Sequence, residues 1–236
     1  MASRASLQCT IHPFGTLPNL KYVVVCSFYE GKYMLSRHKK RDTWETQGGH
    51  IDSGESPLEA AKRELFEESG VKDADLFPVC DYFGYDADSS SDGTVFLAVI
   101  HQLGTMPDSE MKEIGTFDVL PENLTYPNVS PKLFAEAKIL NDRITRITAM
   151  EAHLDHVSAV IKALDEALQA YTEIRPALNE LVAYYESPVW RADYEADEHG
   201  EIPKELKRGV LSEDAVYNLL TDHVRLLDQI NEIEKK

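Results

Sequence analysis

Hydrophobic and polar residues alternate over the first 120 residues in the way that β-strands require. Tyr22 to Phe28 is rich in β-branched and aromatic residues, Glu30-Gly31 is a turn signal, and Tyr33 to His38 can return as a hairpin partner. A strong strand is predicted from Thr94 to Gln102, and a short extended segment from Trp44 to Gln47. The pattern therefore predicts a β-sheet in this part of the chain.

One helix interrupts these strands, from Ser56 to about Ser69. A further strand is predicted from Leu76 to Tyr85, followed by a polar loop from Asp86 to Gly93. Strands on both sides of a helix, joined by long loops, predict an α/β (α+β) sandwich.

From residue 130 onward the pattern is helical. Ser130-Pro131 supplies a capping serine and a proline at the first helical position. Pro176 is expected to interrupt or restart the helix. A loop is predicted from Val189 to Gly209, and a last helix from about Ser212. Large apolar residues recur at alternating steps of four and three: Met150, Leu154, Val157, Ile161, Leu164, Leu168 and Tyr171.

This spacing is typical of a coiled coil or a long helical hairpin. The apolar residues from Met150 to Tyr171 can pair within the chain or across a homodimer, and the sequence leaves both open. The change of pattern predicts two domains, residues 1–140 and 141–236.

Composition narrows the class of protein. The formal net charge of −17 argues against nucleic acid and anionic membranes as partners, because phosphates are repelled. Cys9, Cys26 and Cys80 lack CxxC spacing, which predicts buried, reduced thiols and no zinc site. The segment Met1 to Leu7 contains no apolar run of signal-peptide length, so the predicted compartment is the cytoplasm.

The helix between the strands has well-specified ends. Ser56-Pro57-Leu58-Glu59 is a capping box with proline at the first helical position, and Gly70 supplies the left-handed residue that ends the helix. Leu58, Ala61 and Leu65 share one face, which we expect to be buried.

Three carboxylates share another face of the same helix. Glu64, Glu67 and Glu68 fall within an arc of roughly 100°, and their mutual repulsion is explained if a hard divalent cation lies among them. Mg²⁺ suits oxygen ligands and keeps positions free for substrate phosphates, with Mn²⁺ as the alternative. The competing interpretation is a solvated acidic face on which Arg63 pairs with Glu67 or Glu59.

The wider segment resembles the Nudix box, G-x5-E-x7-R-E-U-x-E-E-x-G-U with U aliphatic. Every position is matched, by Gly49, Glu55, Arg63, Glu64, Leu65, Glu67, Glu68, Gly70 and Val71. The resemblance implies an α/β/α sandwich around a mixed sheet, with the box forming a metal-binding loop-helix-loop. One departure is Gln47, which precedes the glycine pair where many members have proline.

The resemblance also implies roles for individual residues. Glu67 and Glu68 would be metal ligands, and Glu64 would be a ligand or the general base. Arg63 would orient the neighbouring glutamates. The carbonyl of Gly48 would be a further ligand.

The resemblance implies roles for two further acidic residues. Glu55 would support the helix end or the metal shell. A ligand from outside the box is expected at Glu113, with Glu110 as the alternative.

The implied reaction is Mg²⁺-dependent hydrolysis of a phosphoanhydride bond in a nucleoside-diphosphate-linked substrate or a nucleoside triphosphate. The region from Tyr22 to Pro127 resembles bacterial Nudix proteins labelled as oxidised-guanine nucleotide hydrolases. Arg37, Trp44 and Tyr85 are candidate contacts to phosphate or base, as is the adjacent histidine at position 38. For each of them, a purely packing role is the alternative.

Two other functions fit the same fold. A nucleotide sensor would bind ligand without turnover, but it would not need the complete box. An isomerase is disfavoured because no clear catalytic cysteine context is present, although Cys80 stays open. The C-terminal part resembles a bacterial helical domain of unknown function, and its segment from Tyr184 to Asp197 is either a binding surface or an aromatic cluster packed on the helices.

Overall fold

A mixed eight-stranded sheet forms the centre of the first of two units. The computed structural model describes residues 6–233, without the side chain of residue 213, and the chain divides into residues 1–153 and 154–236. The strands are β1 (Gln8–Pro13), β2 (Leu20–Tyr29), β3 (Lys32–His38), β4 (Trp44–Glu45), β5 (Gln47–His50), β6 (Val71–Tyr85), β7 (Ser90–Leu103) and β8 (Met111–Phe117).

The sheet has the order β1-β6-β7-β2-β3-β4, with β5 paired to β2 and β8 to β3. Only β2 and β7 pair in parallel among these strands. The predicted hairpin of β2 and β3 is confirmed. Its turn residues Glu30 and Gly31 have φ of 50° and 77°, the conformation that a two-residue turn between twisted strands requires.

A helix covers each face of this sheet. Helix α1 (Pro57–Ser69) packs on one face, and the first turns of α2 (Ser130–Tyr185) pack on the other. Successive residues of β2 separate into the two cores, with Val23 and Val25 beneath α1 and Cys26 beneath α2, because side chains alternate across a strand. The predicted sandwich is therefore confirmed.

The strand predictions were incomplete. β1 and β8 were not predicted, since neither shows a clear alternating pattern. β6 begins at Val71 instead of Leu76, and β7 begins at Ser90, so the loop predicted to reach Gly93 is confined to residues 86–89. The polar run at the start of β7 pairs with β6 throughout, from Tyr85 opposite Ser90, and this pairing overrides its low strand propensity.

The predicted interruption at Pro176 is wrong. Helix α2 continues through this residue to Tyr185. A proline inside a helix removes one hydrogen bond, here to the carbonyl of Thr172. Residues 172 and 176 are both exposed, so water can reach the freed carbonyl.

The predicted loop from Val189 to Gly209 is also partly wrong. Helix α3 (Pro188–Glu198) occupies its first half, capped by Ser187, whose side chain accepts from Trp190 N–H. Trp190 is buried, and its Nε1–H donates to the carbonyl of Val210 at 2.9 Å. The aromatic cluster is thus packed within the second unit, and Tyr184 donates to Asp193 at 2.7 Å.

The last helix, α4 (Glu213–Ile233), begins near the predicted residue. It meets α2 through Tyr171, whose hydroxyl lies 2.8 Å from Nε2 of His223. The predicted domain boundary at residue 140 and the division at residue 153 both fall inside α2, which runs without a break between them.

Three further observations concern the cysteines, membrane-spanning helices and the N-terminal segment. Cys9, Cys26 and Cys80 are buried free thiols, as predicted. No helix within residues 6–233 combines the length and apolar character needed to cross a membrane. Most of the N-terminal segment that was searched for a signal peptide lies outside the described residues.

Candidate functional site

The ends of α1 are built as its sequence predicts. The Ser56 side chain accepts from Glu59 N–H, and Glu59 accepts in return from Ser56 N–H at 2.8 Å. Gly70 ends the helix with φ of 74° and donates to the carbonyl of Phe66 at 2.7 Å. The predicted buried face needs one correction: Leu58 is 40% exposed, and Ala60 is buried instead, because the face turned to the sheet begins at Ala60.

Arg63 donates four hydrogen bonds to groups on this helix and in the segment before it. Its Nε and Nη2 donate to the two carboxylate oxygens of Glu55 at 3.0 and 2.9 Å, a bidentate pair. Its Nη1 donates to Glu64 at 2.7 Å, and Nη2 also donates to the carbonyl of His50 at 3.0 Å. These bonds raise the pKa of Arg63 above its ordinary value, with Glu55 as the largest cause. Arg63 therefore holds the carboxylates of Glu55 and Glu64 by hydrogen bonds.

The glycine pair of β5 lies directly beneath the helix carboxylates. Gly48 N–H donates to Oε2 of Glu68 at 2.8 Å. Next along the strand, Gly49 leaves the space that the Glu64 carboxylate occupies, since a Cβ there would stand 2.2 Å from Glu64 Oε1. The strand thus places two of the predicted metal ligands against its own backbone.

Glu68 is the most enclosed of these carboxylates, at 5% exposed. Burial raises its pKa to about 9, the Gly48 N–H opposes this, and Glu64, Glu45 and Glu110 add to the rise. Burial also raises the pKa of Glu64, against the opposing effect of Arg63. Glu67 has a half-exposed side chain, 3.6 Å from Arg63. The site concentrates negative charge beyond what Arg63 balances.

The chemistry of these side chains suits a divalent cation. The donors are carboxylate oxygens, and the excess negative charge around buried Glu68 is what a hard cation would offset. Within residues 6–233, no group of three or more acidic, histidine or cysteine side chains is already gathered in a ligating arrangement. The reason is visible in the contacts, since Arg63 holds Glu64 and the Gly48 N–H holds Glu68.

The two acidic residues considered outside the box face different partners. Glu113 is ion-paired with Arg37 across β3 and β8. Glu110 lies 3.2 Å from His38 Nε2, and its charge adds to the rise in the pKa of both Glu64 and Glu68. His38 Nδ1 accepts from Lys40 N–H at 3.0 Å, so Nε2 carries the proton and donates to Glu110.

Two of the four predicted substrate contacts, Arg37 and Trp44, lie together. The Arg37 guanidinium carbon stands 5.1 Å from the centre of the Trp44 ring, and the charge of Arg37 is shared between Asp42 and Glu113. Tyr85 lies on β6, which β7 and β2 separate from β3, a distance of about 14 Å at ordinary strand spacing. Its exposed ring stacks on Phe83.

A buried chain of polar side chains was missed by the sequence analysis. Ser27 donates to Gln47 at 2.7 Å, Gln47 Nε2 donates to Ser36 at 2.8 Å, and Ser36 donates to the carbonyl of Glu68 at 2.8 Å. All three side-chain partners are fully buried. The serines within otherwise apolar strands were the available signal, and Gln47 thereby has a role that proline at this position could not supply.

Comparisons with known proteins match two parts of this chain to protein families. A family model described as "NUDIX domain" matches residues 19–124, and one described as "Domain of unknown function (DUF4298)" matches residues 147–233. An RNA pyrophosphohydrolase of Bartonella clarridgeiae is 39% identical over 88 residues, which are 33% of this chain and 51% of that protein. The chain thus spans about half the length of this relative.

Two further relatives come from Bacillus subtilis. The "Putative 8-oxo-dGTP diphosphatase YtkD" of strain 168 is 32% identical over 114 residues, which are 48% of this chain and 70% of that protein. The second is the pyrophosphohydrolase BsRppH, whose crystal structure (E68A mutant) is similar to this chain with a TM-score of 0.45 and 25% sequence identity. The match covers 61% of this chain and 90% of that one. With the complete box set on its helix against the glycine pair, and with the two family models and the match to YtkD, the chain belongs to the Nudix family and carries a DUF4298 domain after its Nudix domain.

Proposed function

We propose that this protein hydrolyses a phosphoanhydride bond in a nucleotide, with Mg²⁺ as its metal and Mn²⁺ as a substitute. The observation that supports it most is the arrangement around Arg63, which ties Glu55 and Glu64 into one network while Glu68 is buried beside the glycine pair. A nucleotide sensor has no need of a carboxylate placed to accept a proton from water.

The chain's own residues have separate tasks in this reaction. Glu64, Glu67, Glu68 and the carbonyl of Gly48 would hold the cation, which when bound neutralises phosphate charge and supplies an activated water. Glu64 is the residue that we propose also accepts the water's proton at its carboxylate, a contribution of roughly 10²- to 10⁴-fold in rate. Arg63 keeps that carboxylate in place through its 2.7 Å hydrogen bond.

The ligand outside the box is proposed to be Glu110 in preference to Glu113. Replacing Glu110 with glutamine is expected to weaken Mn²⁺ binding by about 10- to 100-fold, because its charge acts on both Glu64 and Glu68. Glu113→Gln is the matched control and should leave binding within about 2-fold, since its carboxylate is neutralised by Arg37. Electron paramagnetic resonance of Mn²⁺ measures both. A larger loss in Glu113→Gln would restore Glu113 as the ligand.

The substrate is proposed to be a free nucleotide rather than RNA. The relatives are named for RNA and for 8-oxo-dGTP, and the net charge of −17 disfavours a polyanion. Arg37 lies against the Trp44 ring, and the two are proposed to contact the nucleotide, with a substrate phosphate replacing Asp42 or Glu113 as a partner of Arg37.

A Mg²⁺-dependent hydrolysis screen tests this choice. It would cover nucleoside triphosphates, 8-oxo-dGTP, ADP-ribose, nucleotide sugars, dinucleoside polyphosphates and 5′-triphosphorylated RNA. We expect turnover of a free nucleotide, and at least tenfold lower kcat/KM for the RNA. Preference for the RNA would overturn the substrate proposal. Tight nucleotide binding with no turnover of any compound would overturn the hydrolase and favour a sensor.

A further inference from the structure

The second unit carries an extensive exposed apolar surface on two helices. Each of its side chains is between 37% and 74% exposed. We call these residues the apolar seam: Leu154, Val157, Val160, Ile161, Leu164, Leu168 and Ile174 on α2, and Tyr217, Leu219, Val224, Leu226, Leu227, Ile230 and Ile233 on α4. Together they leave on the order of 1,000 Å² of apolar surface in water, well above the few hundred Å² usual for the largest patch of a monomer.

Pairing of α2 with α4 does not cover this surface. The two helices already meet at Tyr171 and His223, and Val216 is buried. The seam consists of what this pairing leaves exposed. On α4 it extends to both sides of His223, with Val224 on one side and Leu226 on the other, at 100° per residue. The apolar positions of α4 therefore cover about half of its circumference, which is a broader stripe than one neighbouring helix encloses.

We propose that the apolar seam is a dimer interface, in which the α2–α4 pairs of two copies of this chain pack as a four-helix bundle. The exposed area matches the roughly 800 Å² that one partner contributes to an interface of standard size. The steps of four and three along α2 are those by which helices interlock. A twofold axis lets one such surface face its own copy, and four helices enclose a core that two cannot.

Net charge distinguishes two possible occupants of the apolar seam, a second copy of this chain and a basic partner protein. Residues 154–236 contain 18 acidic and 9 basic side chains, so two copies repel one another outside the apolar contact. Added salt screens that repulsion, and the dimer is therefore expected to tighten as salt rises. Binding of a basic partner would weaken under the same change.

The test is sedimentation velocity of the full chain from about 1 to 100 μM at low and high salt. We expect a dimer whose dissociation constant falls with salt and rises by about 100-fold in Leu164→Glu. Ala159→Glu is the matched control, because it adds the same charge on the exposed opposite side of the same helix and should dimerise as wild type does.

Circular dichroism verifies that each variant keeps its helices, and Leu226→Glu on α4 repeats the test if Leu164→Glu unfolds. Three results would each overturn the proposal. They are a wild-type monomer at the highest concentration, a dimer that Leu164→Glu and Leu226→Glu leave intact, and a dissociation constant that rises as much in Ala159→Glu as in Leu164→Glu.

Discussion

Glu64→Gln is expected to lower kcat by roughly 10²- to 10⁴-fold, with folding unchanged. The amide keeps the shape of the side chain and can still accept from Arg63, whose Nη1 lies 2.7 Å from Glu64 Oε1. It cannot accept a proton from water. The measurement is steady-state hydrolysis of the substrate found in the screen, together with thermal unfolding of both proteins.

Mn²⁺ binding to the same variant separates the two roles considered for Glu64. Unchanged affinity with low kcat would assign it as the base alone, whereas a loss of about 10- to 100-fold in affinity would assign it as a ligand as well. Glu59→Gln is the matched control on this helix, because glutamine also completes a capping box. Retention of full kcat in Glu64→Gln would contradict the proposed mechanism.

The box could be predicted from sequence because its determinants are local. The Ser56 cap, the Gly70 end and the Arg63 contacts all depend on residues of α1 or of the short segment that runs from the end of β5 to it. Such short-range chemistry is visible in a single sequence. Leu58 was misassigned because its burial depends on where the sheet lies beneath the helix.

What could not be predicted depends on distant partners. β8 is fixed by its pairing with β3, where Glu113 stands opposite Arg37, and the two residues are separated by most of the domain's sequence. The continuation of α2 through Pro176 likewise depends on the exposure of the freed carbonyl. Local propensity is a weak guide where tertiary context decides.

The buried polar chain is the clearest case at the site itself. Ser27, Ser36 and Gln47 come from three strands, and their hydrogen bonds end on the carbonyl of Glu68. Each residue alone looks like an ordinary strand residue. Only the sheet order, which pairs β2 with both β3 and β5, makes the three polar groups satisfy one another and fix the end of the box helix.

Gly49→Ala is expected to lower kcat by about 100-fold while the protein stays folded. An added Cβ would stand 2.2 Å from Oε1, 2.6 Å from Cδ and 2.9 Å from Oε2 of Glu64. The carboxylate is the free end of its side chain and can move away, so the cost falls on its position rather than on the sheet. The displaced group loses its placement beside Arg63 and the water that it must deprotonate.

The glycine before it provides the contrast that tests this argument. At Gly48 the added Cβ would stand 2.3 Å from the backbone oxygen of Val23, and φ is 152°, so Gly48→Ala is expected to lower the melting temperature. Gly84→Ala is the control for Gly49→Ala, with its nearest atom at 3.5 Å, and should affect neither property. Unchanged kcat in Gly49→Ala, or unfolding as severe as in Gly48→Ala, would show that Gly49 does not set the position of Glu64. A loss of kcat in Gly49→Ala and a loss of melting temperature in Gly48→Ala would instead assign the two adjacent glycines different roles: Gly48 is required for the fold, and Gly49 for the placement of the catalytic carboxylate.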